Sequence, residues 1–195
     1  MRITVATEVA APPEAVWDSV SDPAKVLHVM SGITRWEPQH AREGPGGSAA
    51  VPASAPAVGL GARYRMLMRV GSAEVGSLIE IVEFCPPFDL AWTSVTGVDQ
   101  RGRWRLRPRP HDGRGPRTHV EFRLAYGVAG AGLLGWLAEQ VAAPQVSGHL
   151  RSSLAQLKRQ VEHDETRRAA AERRRARAAA AEAAAAAIPA APPPG

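Results

Sequence analysis

The most specific chemical spelling in this chain is Gly130-Ala131-Gly132-Leu133-Leu134-Gly135, a G-x-G-x-x-G between a strand pattern and a helix pattern. Glycines at that spacing let a backbone close on a pyrophosphate. Dinucleotide binding, however, also needs a second parallel strand carrying an acidic residue about 20 positions on. The helix that follows is the last core element here, so these glycines read as a tight turn and a close helix approach. His119-Val120-Glu121 matches the H-x-E half of a zinc deaminase, a chemistry that also requires a P-C-x-x-C pair. Cys85 is the single cysteine, stands before Pro86, and reads as a small buried hydrophobe. His28, His40, His111, His149 and His163 show no ligand spacing, so neither a metal nor a cofactor is expected. There is no G-x-S-x-G elbow for a serine nucleophile.

Arg101, Arg103, Arg105, Arg107 and Arg109 recur at period 2 and so share one face of a strand. A sheet that reads nucleic acid needs aromatic rings on that same face for base stacking. Trp104 has the opposite parity, as Phe122 and Tyr126 do to Arg123. The arginine face therefore reads as a solvated sheet exterior partly paired with Glu121, and a nucleic-acid partner is not expected. The polar groups that could reach an interior are Glu80, Arg123, His149, Gln145, Ser94 and Thr96. Glu80 shares parity with Leu78, Val82 and Phe84, but Ile79 and Ile81 on the other parity are equally apolar. Which face of that strand is buried stays open, and no acid–base pair can be assigned.

The elements that would position these groups follow from hydrophobic periodicity. Ile3, Val5, Thr7 and Val9 alternate with polar or small neighbours, as in a half-buried strand. Pro12-Pro13-Glu14 opens a helix carrying Val16, Trp17 and Val20, and Ser21-Asp22-Pro23 starts a second short one. Strand patterns recur at 33–37, 64–70, 75–84, 90–96, 101–107 and 119–126. Short turns between alternating strands imply an antiparallel sheet with one wet and one covered face. The cover must come from the helix of about 132–161, where Val146, Leu150, Leu154, Leu157 and Val161 form one stripe. Leu137 and Val141 fall on a different face, and a kink or break at Pro144 would reconcile the two.

The 195 residues suffice for one domain with some chain to spare. The net charge of +5 is a weak partner signal, because 22 of the 24 basic residues are arginine amid abundant alanine, glycine and proline. No stretch has the apolar core of a secretory signal or the roughly 20 apolar residues of a membrane span, so the cytoplasm is the default location. Residues 43–61 are rich in Gly, Pro, Ala and Ser and read as a long insertion loop. From 162 to 195 the composition turns to alanine, arginine and glutamate and then to proline, with no Leu, Val or Phe to dock. We read 1–161 as the domain and 162–195 as a solvated helix or disordered tail, with six arginines against five acidic residues.

A strand, two short helices, a multi-stranded antiparallel sheet and one long closing helix make a distinctive order. Together with the stretches at 9–17, 21–23, 33–37, 59–64, 86–92 and 154–162, that order resembles the START-like or SRPBCC superfamily, with its polyketide cyclase/dehydrase group. The resemblance covers about 1–162. It implies an α+β helix-grip fold, a curved antiparallel sheet gripping the C-terminal helix around an elongated cavity for a hydrophobic small molecule. Candidate lining residues on the sheet are Trp36, Tyr64, Met66, Met68, Trp92 and Trp104, with Phe122 and Tyr126 beyond them. Trp17, Val146 and Leu150 are the helical candidates. Binding of a lipid- or polyketide-like molecule is the expected function. A cyclase or aromatase using the same cavity is the alternative, and an interaction protein using the arginine face and tail is a third.

Overall fold

The computed structural model describes residues 1–39, 57–70, 72–110, 113, 115–127 and 132–186. Most of the expected 43–61 loop lies outside them. The element order is β1 (Arg2–Val9), α1 (Pro13–Val20), α2 (Pro23–Val29), β2 (Ile33–Pro38), β3 (Arg63–Val70), β4 (Ala73–Cys85), β5 (Asp89–Gly97), β6 (Asp99–Pro108), β7 (Thr118–Gly127) and α3 (Gly132–Ala186). The strands form one antiparallel sheet in the order β1-β7-β6-β5-β4-β3-β2, so the first strand pairs with the last. The sheet curls into a half-barrel around the helices, which is the helix-grip arrangement.

Local chemistry explains the two short helices. Proline stands at the start of both, where its missing N–H costs nothing. The Asp22 carboxylate also accepts from the Ala24 amide at 2.9 Å, capping α2. Met30 ends α2 in an extended conformation, and Gly32 turns the chain at φ +86° into β2.

On α3, Val146, Leu150, Leu154, Leu157 and Val161 are all buried against the sheet, as their spacing requires. Of the kink or break expected at Pro144, a break does not occur, because the helix continues through it. It is fastened at several points by polar contacts. Lys158 Nζ donates to the Glu8 carbonyl at 2.6 Å, and Glu162 Oε1 accepts from the Ala10 amide at 2.8 Å. Higher up, Ser153 Oγ accepts from the Ser31 amide at 2.9 Å and donates to the His149 carbonyl. Beyond Val161 the helix continues with none of residues 162–183 buried. No helix among the described residues is long and apolar enough to cross a membrane.

Candidate functional site

The concave face of the sheet is a chain of aromatic rings. Tyr64 stacks on Trp36 at 5.2 Å between centroids, and Trp36 meets Trp92 edge-on at 6.3 Å. Trp92 reaches Phe122 at 5.7 Å, and Phe122 stacks on Trp104 at 4.2 Å. Strand alternation aims these rings inward. Gly102 makes their contact possible, because it sits opposite Trp92 in the β5–β6 register and leaves the indole room.

Beneath α1 and α2 these rings border an apolar cavity of about 20 Å³. Its wall takes Val20, Ser21, Pro23, Val26 and Met30 from the helical side, and Trp36, Tyr64, Ile81, Phe84, Leu90, Trp92 and Trp104 from the sheet, with Gly59 at one end. That volume has room for about one water molecule. Trp36, Tyr64, Trp92 and Trp104 thus meet at one void. Met66, Met68 and Phe122 are buried in the surrounding core, and Trp17 packs edge-on against Phe84 at 5.1 Å. Tyr126 is only partly buried at the end of β7. Val146 and Leu150 belong to the packed α3 stripe and do not border this void, which lies under the short helices. Both are buried in the hydrophobic core together with Leu154, Leu157 and Val161.

Hydroxyl groups at the cavity are already engaged. Tyr64 donates to the Ala57 carbonyl and Ser21 to the Trp17 carbonyl, both at 2.8 Å. Burial pushes the Tyr64 phenol up to about 12. The indole N–H groups of Trp36 and Trp92 are buried without a hydrogen-bond partner among the described residues.

None of the six polar groups singled out from sequence reaches this cavity. Glu80 lies on the outer face, where Arg63 Nε donates to its carboxylate at 2.7 Å. Ile79 and Ile81 take the inner face. Arg123 is exposed and pairs with Glu121 at 2.8 Å. Ser94 accepts from the Gln100 amide, while Thr96 and Gln145 are exposed. His149 is half-buried against Gly32, with Nδ1 at 3.3 Å from Ser31 Oγ. Cys85, expected to be buried, is exposed. A bulge between Ile81 and Glu83 inserts a residue into β4, so that Phe84 rather than Cys85 turns to the cavity.

Two groups escaped the sequence reading. Gln100 is only 4% exposed and donates through Nε2 to the buried Ser77 hydroxyl, forming a polar pair inside the core. Its parity with Gly102 and Trp104 was the available signal. Met30, at the end of α2, is the flexible part of the cavity wall.

The outer face carries a wider open groove of about 580 Å³, floored by Val82, Ala91, Thr93 and Ala125 and flanked by Arg2, Arg101, Arg103 and Arg123. Asp89 gathers Arg103, Arg105 and Arg107 at 3.3, 3.5 and 2.7 Å. Burial alone would raise the Asp89 pKa, but hydrogen bonds and charge from Arg107 and Arg103 outweigh it and hold the carboxyl below its usual range. At the lower edge Glu8 accepts from His119 and Arg109 at 2.8 and 3.0 Å. Desolvation there would raise the Glu8 pKa, and these two partners outweigh it and leave the carboxyl lowered.

Comparison with known proteins agrees with this architecture. A family model described as polyketide cyclase / dehydrase and lipid transport matches residues 1–162. No curated protein matches the sequence. Among solved structures, a Thermus thermophilus protein superposes with a TM-score of 0.62 at 19% identity, covering 83% of this chain and 97% of its own. A START superfamily protein from Mycobacterium smegmatis gives 0.57 at 15% identity, covering 82% and 98%. A Deinococcus radiodurans protein gives 0.55 at 18%, covering 84% and 99%.

Proposed function

Because the chain belongs to the polyketide cyclase / dehydrase and lipid transport family, we propose that it binds a hydrophobic small molecule, lipid- or polyketide-like, between the sheet and its two short helices. One observation carries the reading: the wall there is apolar and aromatic, and Tyr64 is its one ionisable side chain among the described residues. Apolar, concave walls with a few polar groups are what such ligands seek.

A 20 Å³ void holds no such guest as it stands. The ligand therefore enlarges it, and the wall has parts that yield. Met30 is unbranched and flexible, Phe84 is only half-buried, and α2 is a seven-residue helix held by its apolar face. An isolated helix of that length has little stability of its own. Displacing α2 with Val26 and Met30 opens the cavity while the sheet and α3 stay in place.

The cyclase alternative needs groups that move protons. Only two hydroxyls border the cavity among the described residues; both donate to backbone carbonyls, and the Tyr64 phenol is far from releasing its proton near neutrality. Binding without turnover is thus the better reading. The arginine face supports nucleic-acid binding poorly, since its cations are largely ion-paired and Trp92, the one aromatic residue bordering its groove among the described residues, is 2% exposed and offers no platform for a base.

Native mass spectrometry of freshly purified protein tests the proposal. We expect a bound mass that is lost on denaturation, or a rise in melting temperature with hydrophobic probes. Protein that purifies empty and ignores a panel of lipids and polycyclic ketones would refute it.

A further inference from the structure

We propose that Trp36 and Trp92 are the specificity determinants of this cavity, their indole N–H groups selecting a neutral, carbonyl-bearing guest over a carboxylate amphiphile. The inference rests on the hydrophobic-ligand reading above and adds the chemistry of the ligand's polar atoms.

Trp36 is 8% exposed and Trp92 2%, both line the cavity, and neither Nε1–H meets a hydrogen-bond acceptor among the described residues. Buried donors in native proteins are nearly always satisfied, so two orphans on neighbouring residues that both border one small void call for a common explanation. Indole nitrogen donates and cannot accept, so the missing partner is an acceptor. The two rings are also held in place before any guest arrives, Trp36 by stacking on Tyr64 and Trp92 by packing on Phe122. That rigidity favours a fixed acceptor position over adaptive contact.

The charge of the guest follows from what the wall lacks. No arginine, lysine or histidine borders the cavity among the described residues. A carboxylate drawn inside would lose its hydration and meet no cation, whereas a ketone, lactone or ester oxygen needs only the N–H groups. The aromatic wall further favours a flat molecule, since rings stack on rings. A free fatty acid is thereby disfavoured on its head group, even though its chain suits the apolar lining.

The experiment compares three probes on the full-length protein: 9-fluorenone, fluorene of the same shape without the carbonyl, and palmitate. The expected result is binding of fluorenone at least about tenfold tighter than fluorene, with palmitate weaker still. In protein labelled with ¹⁵N-tryptophan, fluorenone should shift the indole N–H signals of Trp36 and Trp92 while fluorene leaves them near their unliganded positions. Trp36→Phe and Trp92→Phe assign those signals and should erase the fluorenone preference. If either variant fails to fold, the titration of the unmodified protein still decides.

Equal affinity for fluorenone and fluorene, or indole signals unmoved by fluorenone, overturns this proposal and leaves hydrophobic binding standing, with a trapped water as the donors' partner. Tighter binding of palmitate overturns the argument from neutrality. Failure of all three probes, together with protein that purifies empty, removes the hydrophobic-ligand reading itself and this inference with it.

Discussion

The indole of Trp92 occupies the space in which residue 102 would carry a side chain. A Cβ on Gly102 would lie 2.0 Å from Trp92 Cζ2, well inside contact distance. The two residues are register partners on β5 and β6, and the missing side chain lets Trp92 extend toward Phe122. Gly102→Ala should therefore push the indole off its seat and cost about 1–3 kcal/mol, as overpacking in a closed core does. Urea unfolding measures it, and an unchanged midpoint would show that the ring moves freely.

Trp104 lies at the inner end of the same aromatic chain, 2% exposed and stacked on Phe122. Trp104→Ala should lower stability by about 3–5 kcal/mol, the usual range for emptying a large aromatic site. A loss under about 1 kcal/mol would mean that the neighbouring side chains collapse into the gap, which their stacking argues against.

Asp89 links the arginine ladder to acid stability. Its folded pKa lies below the unfolded value of about 3.9, so its contribution is present above that pH and fades as pH falls through the folded pKa. Asp89→Asn should lower the melting temperature at pH 7, and the gap to the parent should close as the pH drops below about 4. Because the three arginines are each more than a third exposed, the pH 7 effect should also shrink in high salt. A gap independent of pH would assign the loss to packing instead.

In the helical extension past Val161, none of residues 162–183 is buried. Deleting 163–195 spares the Glu162 contact with Ala10 and should leave the melting temperature within about 2 °C of the parent, since exposed termini add little. A larger fall, read by calorimetry, would show that the extension packs on the domain.

How much of this was legible beforehand depends on the strand. In β6 the arginines and the tryptophan sit on opposite parities, so both faces could be read at once, and the buried Gln100 was legible by the same rule carried two residues back. In β4 both parities are apolar, and nothing in composition says that Val82 stands 48% exposed while Ile81 is buried. The bulge after Ile81 then reverses the alternation, and Cys85, expected to be buried as a lone small hydrophobe beside Pro86, ends on the exposed side. The α3 stripe was legible to Val161 because helical periodicity needs only local spacing. The cavity's seat under α1 and α2 was not, because its wall joins residues from 20 to 104 and depends on side-chain fit across elements distant in sequence.

The pairing of β1 with β7 has a consequence for synthesis. Arg2 lies opposite Ala125 and Val9 opposite Thr118, so the opening strand has no hydrogen-bonding mate until nearly two-thirds of the chain exists. During translation β1 must wait with its amides and carbonyls satisfied by solvent or a chaperone, while the meander from β2 to β6 assembles beside it. The half-barrel closes only when the ribosome has released the seventh strand.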